Sequence, residues 1–283
     1  MRLTFLGTSG ANAFPEAFCR CDNCEQARRL GGPSLRKRSA ALINDDLLID
    51  LGPDIMTAAQ MHGLSLTGVR YCLQTHAHDD HFDPSHLLSR SPGYGVVGAP
   101  RLHFYASPET MQLAAQRLER DCAPHSLFAP EIGEQLNLAL YPVEVGQTFK
   151  ADRYRITVFS ANHDLPLNCL LYAIEAEGRA IFYGTDTGTL PEETWQALHR
   201  CGLQFDVVIL DHTYGPGRPG GPDHLSASQV AEYAARMRAE GLMTAGGRVF
   251  ATHIAHEDNP PHPQLADFAA RHGYEIAYDG LTV

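Results

Sequence analysis

Six consecutive residues, His76-Ala77-His78-Asp79-Asp80-His81, form an H-x-H-x-D-H pattern with four candidate metal ligands. In extended backbone, residues two apart point the same way, so His76 and His78 can grip one ion. Adjacent residues diverge, which leaves Asp80 and His81 to serve a second ion beside it. Imidazole and carboxylate donors suit zinc and similar cations and can leave coordination positions for water. A fold built around this segment must bring further ligands to it, and candidates recur at the ends of apolar runs. Asp50 ends Leu47-Leu48-Ile49, His163 follows Val158-Phe159-Ser160, Asp186 follows Ile181-Phe182-Tyr183, and His253 follows Val249-Phe250-Ala251-Thr252. Ligands at successive strand ends converge at one edge of a sheet. Asp50 reads as an acceptor that orients a ligand histidine.

The strand-like runs are Arg2–Leu6, Ala40–Asp50 (turning back at Asn44-Asp45-Asp46), Val69–Thr75, Arg153–Phe159, Leu170–Glu175, Ala180–Tyr183, Val207–Leu210, Arg248–Thr252 and Glu275–Tyr278. Helices are predicted over Pro108–Arg120, Pro191–Cys201, Ser226–Glu240 and Pro263–His272, with capping-box spacing between Ser226 and Gln229. The early half is strand-rich and the later half alternates strands with helices. That pattern predicts a layered α/β architecture with helices outside sheets, in a single domain over 1–283. The Gly- and Pro-rich stretch Ser89–Pro100 is expected as a loop near the site.

Composition narrows the function classes. An apolar fraction of 44% with 19% charged residues describes a soluble globular protein. Met1–Gly7 is too short an apolar run for a signal peptide, and no stretch approaches the roughly 18 apolar residues of a membrane span. A cytoplasmic protein without a membrane partner is expected. The formal charge of −11 repels polyanions, so nucleic acid is a disfavoured partner, whereas bound cations would let a small anion approach. Of seven cysteines, Cys72, Cys122, Cys169 and Cys201 are scattered core thiols, while Cys19, Cys21 and Cys24 form a C-x-C-x-x-C. An odd-numbered, apparently cytosolic set argues for metal ligation over disulfides.

The ordered series Asp50, His76-x-His78-x-Asp80-His81, His163, Asp186, His253 resembles the metallo-β-lactamase superfamily. The resemblance implies a four-layer αβ/βα sandwich with a dinuclear site. In it His76, His78 and His163 hold one divalent ion, Asp80, His81 and His253 hold the other, and Asp186 bridges them, with zinc or manganese as the expected metals. Within the superfamily the chain resembles the PhnP-type phosphodiesterases of carbon–phosphorus lyase pathways, which add a Cys3His structural zinc. Gly7-Thr8-Ser9-Gly10, Gly184-Thr185-Asp186-Thr187 and Thr252-His253-Ile254-Ala255-His256 carry that likeness. For the structural zinc, His224 just before a helix is the candidate fourth ligand beside Cys19, Cys21 and Cys24.

One departure concerns the general acid. PhnP-type enzymes use a histidine four positions into an Asp-led segment, and here Asp211-His212-Thr213-Tyr214 offers Tyr214 instead, with His212 earlier. A histidine titrates near neutrality, so His212 is the expected proton donor and Tyr214 the alternative. His256 is expected to contact substrate. The resemblance implies hydrolysis of a small cyclic or diester phosphate, with 5-phosphoribosyl 1,2-cyclic phosphate in phosphonate metabolism as the candidate substrate and a homodimer as one candidate assembly. Two other readings remain open. The tRNA 3′-processing nucleases have a His motif before a helix that resembles Asp223-His224-Leu225-Ser226. Against them stand the chain's acidity and the mere 23 positions from His163 to Asp186, too few for a tRNA-gripping arm. PqqB-type hydroxylases resemble the cysteine cluster and would call for iron.

Overall fold

A computed structural model describes residues 1–283 and arranges them as two facing sheets with helices on both outer faces. The first sheet holds β1 (Leu3–Gly7), β2 (Ala40–Ile43), β3 (Leu47–Ile49), β4 (Tyr71–Leu73), β5 (Leu102–Ala106) and β6 (Leu138–Pro142), in that spatial order. The second holds β7 (Thr148–Ala151), β8 (Tyr154–Ser160), β9 (Leu170–Ala176), β10 (Arg179–Gly184), β11 (Phe205–Asp211), β12 (Met243–Thr252) and β13 (Glu275–Ile276), again neighbour to neighbour. Strands β3 to β6 run parallel, as do β10 to β13, while β9 is antiparallel to both β8 and β10. The C-terminal ends of β8, β10, β11 and β12 therefore share one edge.

Strand alternation builds the layers. Leu170, Tyr172 and Ile174 of β9 face the first sheet, where they meet Leu3, Ile43, Leu47 and Ile49. Leu171 and Ala173 point the other way, under the helices Asp22–Leu30, Glu192–Arg200, Ala227–Ala239 and His262–Arg271. In β11, Val207 and Ile209 join the core between the sheets, and Val208 and Leu210 the outer one. A third core lies between Leu42, Leu48, Cys72 and Phe104 and the helices that carry Ile55, Leu87, Met111 and Ile132. Three cores separate four layers, which is the expected αβ/βα sandwich. Each fully buried Leu, Ile or Val contributes about 1.5–3 kcal/mol, so the sheet faces are held in register wherever this pattern continues.

The sequence reading placed the predicted helices well. Ser226 caps Ala227–Ala239 through a complete capping box. Pro108–Arg117 stops short of the predicted end, and Glu119–Cys122 follows as a separate turn. The helices Asp22–Leu30 and Ile55–Met61 and the strands β5, β6 and β7 were not anticipated. The Ser89–Pro100 loop is not beside the ligands: Val96, Val97 and Pro100 line an apolar cavity with Leu48, Ile55 and Leu66. No helix is long and apolar enough to cross a membrane.

Candidate metal centre

All the candidate ligands leave strands at the same edge. Asp50 follows β3, His76–His81 follow β4, His163 follows β8, Asp186 follows β10 and His253 follows β12. Asp50, Asp186 and His253 each adopt positive φ, at 64°, 56° and 61°. A left-handed turn at a non-glycine residue costs of the order of 1–3 kcal/mol and concentrates at functional sites. Here it swings each side chain off its strand and into the gap between the sheets. Backbone bonds lock that gap: Leu170 N–H donates to the Thr75 carbonyl (2.9 Å), and Ile254 N–H to that of Thr8 (2.9 Å). Gly10 lies so close to His253 that a Cβ there would sit 3.1 Å from the imidazole Cε1.

Three overlapping clusters result, the third made by Asp186, Asp211, His224 and His253. Donor atoms of His76, His78, His163 and Asp186 lie within 4.8 Å of one another, and so do those of Asp80, His81, Asp186 and His253. His78 Nδ1 is 3.0 Å from His76 Nε2 and 3.1 Å from His163 Nε2. Asp186 is common to all three: Oδ2 stands 3.2 Å from His76 Nε2 and 2.9 Å from His81 Nε2, and Oδ1 stands 2.8 Å from His253 Nε2.

The other nitrogen of every imidazole in the first two clusters is held. His76 Nδ1 meets Thr75 Oγ1 at 2.9 Å, His81 Nδ1 meets Asp50 Oδ2 at 2.7 Å, and His253 Nδ1 meets Thr213 Oγ1 at 2.7 Å. His163 Nδ1 is bound by the Asp223 carbonyl at 2.9 Å, and His78 Nε2 by Asp164 Oδ2 at 3.1 Å. Asp50 is the orienting acceptor that its sequence position suggested. It also accepts from Thr75 N–H (2.8 Å) and Gln74 Nε2 (2.9 Å). Gln74 was missed by sequence reasoning, yet its amide also donates to the carbonyls of His76 and His81 and so shapes the loop between them. A glutamine at the end of an apolar strand, two residues before the ligand run, was the available signal.

Several observations fit divalent cations. His81 Nε2 and Asp186 Oδ1 are buried without a well-formed hydrogen bond, although each has a partner atom under 3 Å away. Such short, misaligned contacts are what lone pairs aimed at one common point produce. Burial and the neighbouring His81 hold His76 down to about 3, and burial lowers His163, so both are neutral donors. Burial would raise the Asp80 and Asp186 carboxyls, but His81 and His253 keep both below the usual carboxylate range. Burial likewise opposes charge on His253, yet the Asp186 carboxylate outweighs it and lifts the imidazole to about 10. A cation bound here would take over the balance of these carboxylate charges.

The cysteine cluster corrects one expectation. Cys19, Cys21 and Cys24 gather with His256, not His224. Cys21 Sγ lies 3.7 Å from His256 Nδ1, and although burial opposes ionisation, hydrogen bonds from the Cys24 backbone and His256 bring that thiol down to about 7. His256, expected at the substrate, meets sulfur through its Nδ1 and also lines the cavity beside the clusters. His224 is held elsewhere because Tyr214 pairs with the backbone around it: Tyr214 N–H donates to Leu225 O (3.1 Å) and Ala227 N–H to Tyr214 O (2.9 Å). This pairing folds residues 215–222 into a closed loop and returns His224 to the end of β11. There its Nδ1 meets Asp211 Oδ2 at 2.9 Å, and its ring stacks on His253 at 5.2 Å.

Of the two proposed acids, only His212 lies away from the centre. His212 is fully buried, its Nε2 faces Tyr274 OH at 2.9 Å, and burial depresses it to about 4. Alternation at the end of β11 explains this: Asp211 and Thr213 face the centre, so His212 between them faces away. Tyr214 stays nearby, its hydroxyl donating to Asp223 Oδ1 (3.1 Å) and its ring edge-on to His224. Together with Asn12, Arg218, His224 and His253 it lines a cavity of about 200 Å³ beside the clusters. A larger cavity of about 550 Å³, beside β6, holds none of these converging groups.

Comparison with known proteins agrees with this fold. Residues 46–254 match the model of the beta-lactamase superfamily domain. A diphosphatase of the PhnP family superposes with a TM-score of 0.71 at 20% identity, covering 100% of this chain and 97% of that one. Zinc-bound PqqB from Methylobacterium extorquens gives 0.71 at 18% identity, with 100% and 99% covered. The short form of human tRNase Z gives 0.63 at 16%, with 100% and 98% covered. No curated protein matches the sequence.

Proposed function

Because the chain belongs to the beta-lactamase superfamily and is a metal-dependent hydrolase, we propose that it cleaves a small cyclic or diester phosphate. The observation that carries this reading is the pair of ligand clusters that share Asp186. Divalent ions held by His76, His78, His163 and Asp186, and by Asp80, His81, Asp186 and His253, would acidify water and neutralise charge on phosphoryl oxygens.

His224 takes the acid role first given to His212. Its Nδ1 is engaged by Asp211, which leaves Nε2 as the free nitrogen beside the cavity. Burial disfavours its charge, but the Asp211 carboxylate outweighs burial and raises it above the ordinary histidine value. Proton delivery to a departing alkoxide is then its contribution. Cys19, Cys21, Cys24 and His256 supply a complete tetrahedral set for a structural zinc.

Substrate size follows from the cavity and the chain's charge. The positions between His163 and Asp186 are used up by a short turn and the β9–β10 hairpin of the sheet, which leaves no inserted arm to grip a long polyanion. A PhnP-family protein named as a diphosphatase is among the similar structures, so P–O–P bonds belong in the substrate panel with 5-phosphoribosyl 1,2-cyclic phosphate. One observation favours the tRNA-processing reading: His224, in the segment that resembled the nuclease motif, does stand at the centre.

Purified protein loaded with zinc, manganese or iron should be assayed on bis(p-nitrophenyl) phosphate, cyclic phosphates, diphosphates and a tRNA precursor. Metal-dependent turnover of small diesters is expected. Cleavage restricted to the tRNA precursor would favour the nuclease, and stoichiometric iron with oxygen uptake a hydroxylase. Absence of turnover on every phosphate ester rejects the proposal.

A further inference from the structure

We propose that Asp164 is a positioning residue for the first cluster, holding the Nε2–H of His78 so that Nδ1 of that imidazole faces the ion. The inference rests on the metal reading above and concerns how this chain orients one ligand. Four of the five imidazoles in the first two clusters have their outer nitrogen held in interior or backbone surroundings, by Thr75, Asp50, Asp223 O and Thr213. His78 differs. Its side chain is 37% exposed, and its only outer partner is the Asp164 carboxylate, itself 36% exposed.

The geometry requires a particular tautomer. Nδ1 of His78 is the atom within 3.0 Å of His76 Nε2 and 3.1 Å of His163 Nε2, so it must present a lone pair to any ion they share. A neutral imidazole has one N–H, which must then reside on Nε2, where Asp164 Oδ2 accepts it at 3.1 Å. Without that acceptor, water would compete for Nε2 and the exposed ring would be free to rotate. The carboxylate is also well placed to act. Asp164 follows His163 directly, so one segment both donates a ligand and holds a second. The Asp164 carbonyl accepts from Leu167 N–H at 3.0 Å and from Cys169 Sγ at 3.5 Å, which anchors the turn that carries it.

The test uses the full-length protein and cobalt(II) as the probe. Thiolate-to-cobalt charge transfer reports the cysteine site, and cobalt retained beyond that one equivalent, by elemental analysis, reports the nitrogen–oxygen clusters, so the two are read separately against a competing chelator. Loss of a ligand's hydrogen-bond partner typically weakens metal binding about 10–100-fold. Asp164→Ala should do this at the first cluster while leaving the thiolate band and Tm unchanged. Asp164→Asn should fall between, because an amide oxygen still accepts but without charge. Retention of cluster affinity within twofold in Asp164→Ala overturns the inference while the metal reading survives. A wild-type chain that takes no cobalt outside the cysteines overturns both. Nitrogen NMR of the wild type supplies a check that needs no variant: His78 as the Nε2–H tautomer supports the proposal, and Nδ1–H refutes it.

Discussion

The paired clusters and the cysteine cluster occupy the same edge of the molecule but are built for opposite ends. In the first, imidazoles and carboxylates share Asp186, and His253 borders a cavity that would leave a held ion open to solvent or substrate. In the second, three cysteine sulfurs and His256 make a four-donor set, with Phe14 packed against the imidazole. An open set suits chemistry and a closed set suits structure. Yet the regions are joined: His253 serves one and His256 the other, three residues apart on the loop after β12. They are distinct in chemistry and coupled in space.

The largest effect is expected from breaking the open region. Asp186→Ala should abolish turnover and strip the clusters of metal, because both clusters share this carboxylate. Elemental analysis should find the cysteine zinc still bound, and loss of all metals together would erase the distinction. His224→Ala should next lower turnover about 10²–10⁴-fold with the metals retained, the range of general acid catalysis. The deficit should shrink on a p-nitrophenyl leaving group, which needs no proton. An equal deficit on alkyl and p-nitrophenyl diesters would remove His224 from the acid role.

Cys21→Ala sharpens the comparison from the other side. It should release one zinc and lower Tm, by roughly 2–4 °C for each kcal/mol lost. Turnover should fall only in part, through the loosened His253 loop, and kinetics on the purified variant measure how far the two regions communicate. Asp50→Asn should weaken metal binding at the second cluster about 10–100-fold, through the orientation of His81. The smallest effect belongs to His212→Gln, which should leave kcat/KM and its pH profile near wild type while costing some stability at the Tyr274 contact. A large kcat/KM loss there would reinstate the acid expected from sequence.

Legibility in the sequence followed distance along the chain. His76 to His81 are neighbours, and His163, Asp186 and His253 each trail an apolar strand, so local pattern sufficed to nominate them. Strands β6 and β7 escaped notice because Leu138-Ala-Leu-Tyr-Pro and Thr148-Phe-Lys-Ala are short, half-exposed edges that lack a buried run. The helix Asp22–Leu30 leaves a faint trace because only Cys24 and Ala27 of its nine residues are buried. The exchange of His224 and His256 is the most instructive error. Each stands near a ligand-like segment, and no local signal says which neighbour it joins.

What the sequence alone determined was the donor inventory and the fold class, because periodicity sets which face of a strand is buried and composition sets which ions can be held. Tertiary structure decided the assignment of histidines to partners. Alternation at the end of β11 sends His212 inward, and the pairing of Tyr214 with the backbone flanking Leu225 folds the loop that returns His224 to Asp211. Such choices depend on where a loop closes in three dimensions, and loop closure leaves no periodic trace in the residues that achieve it.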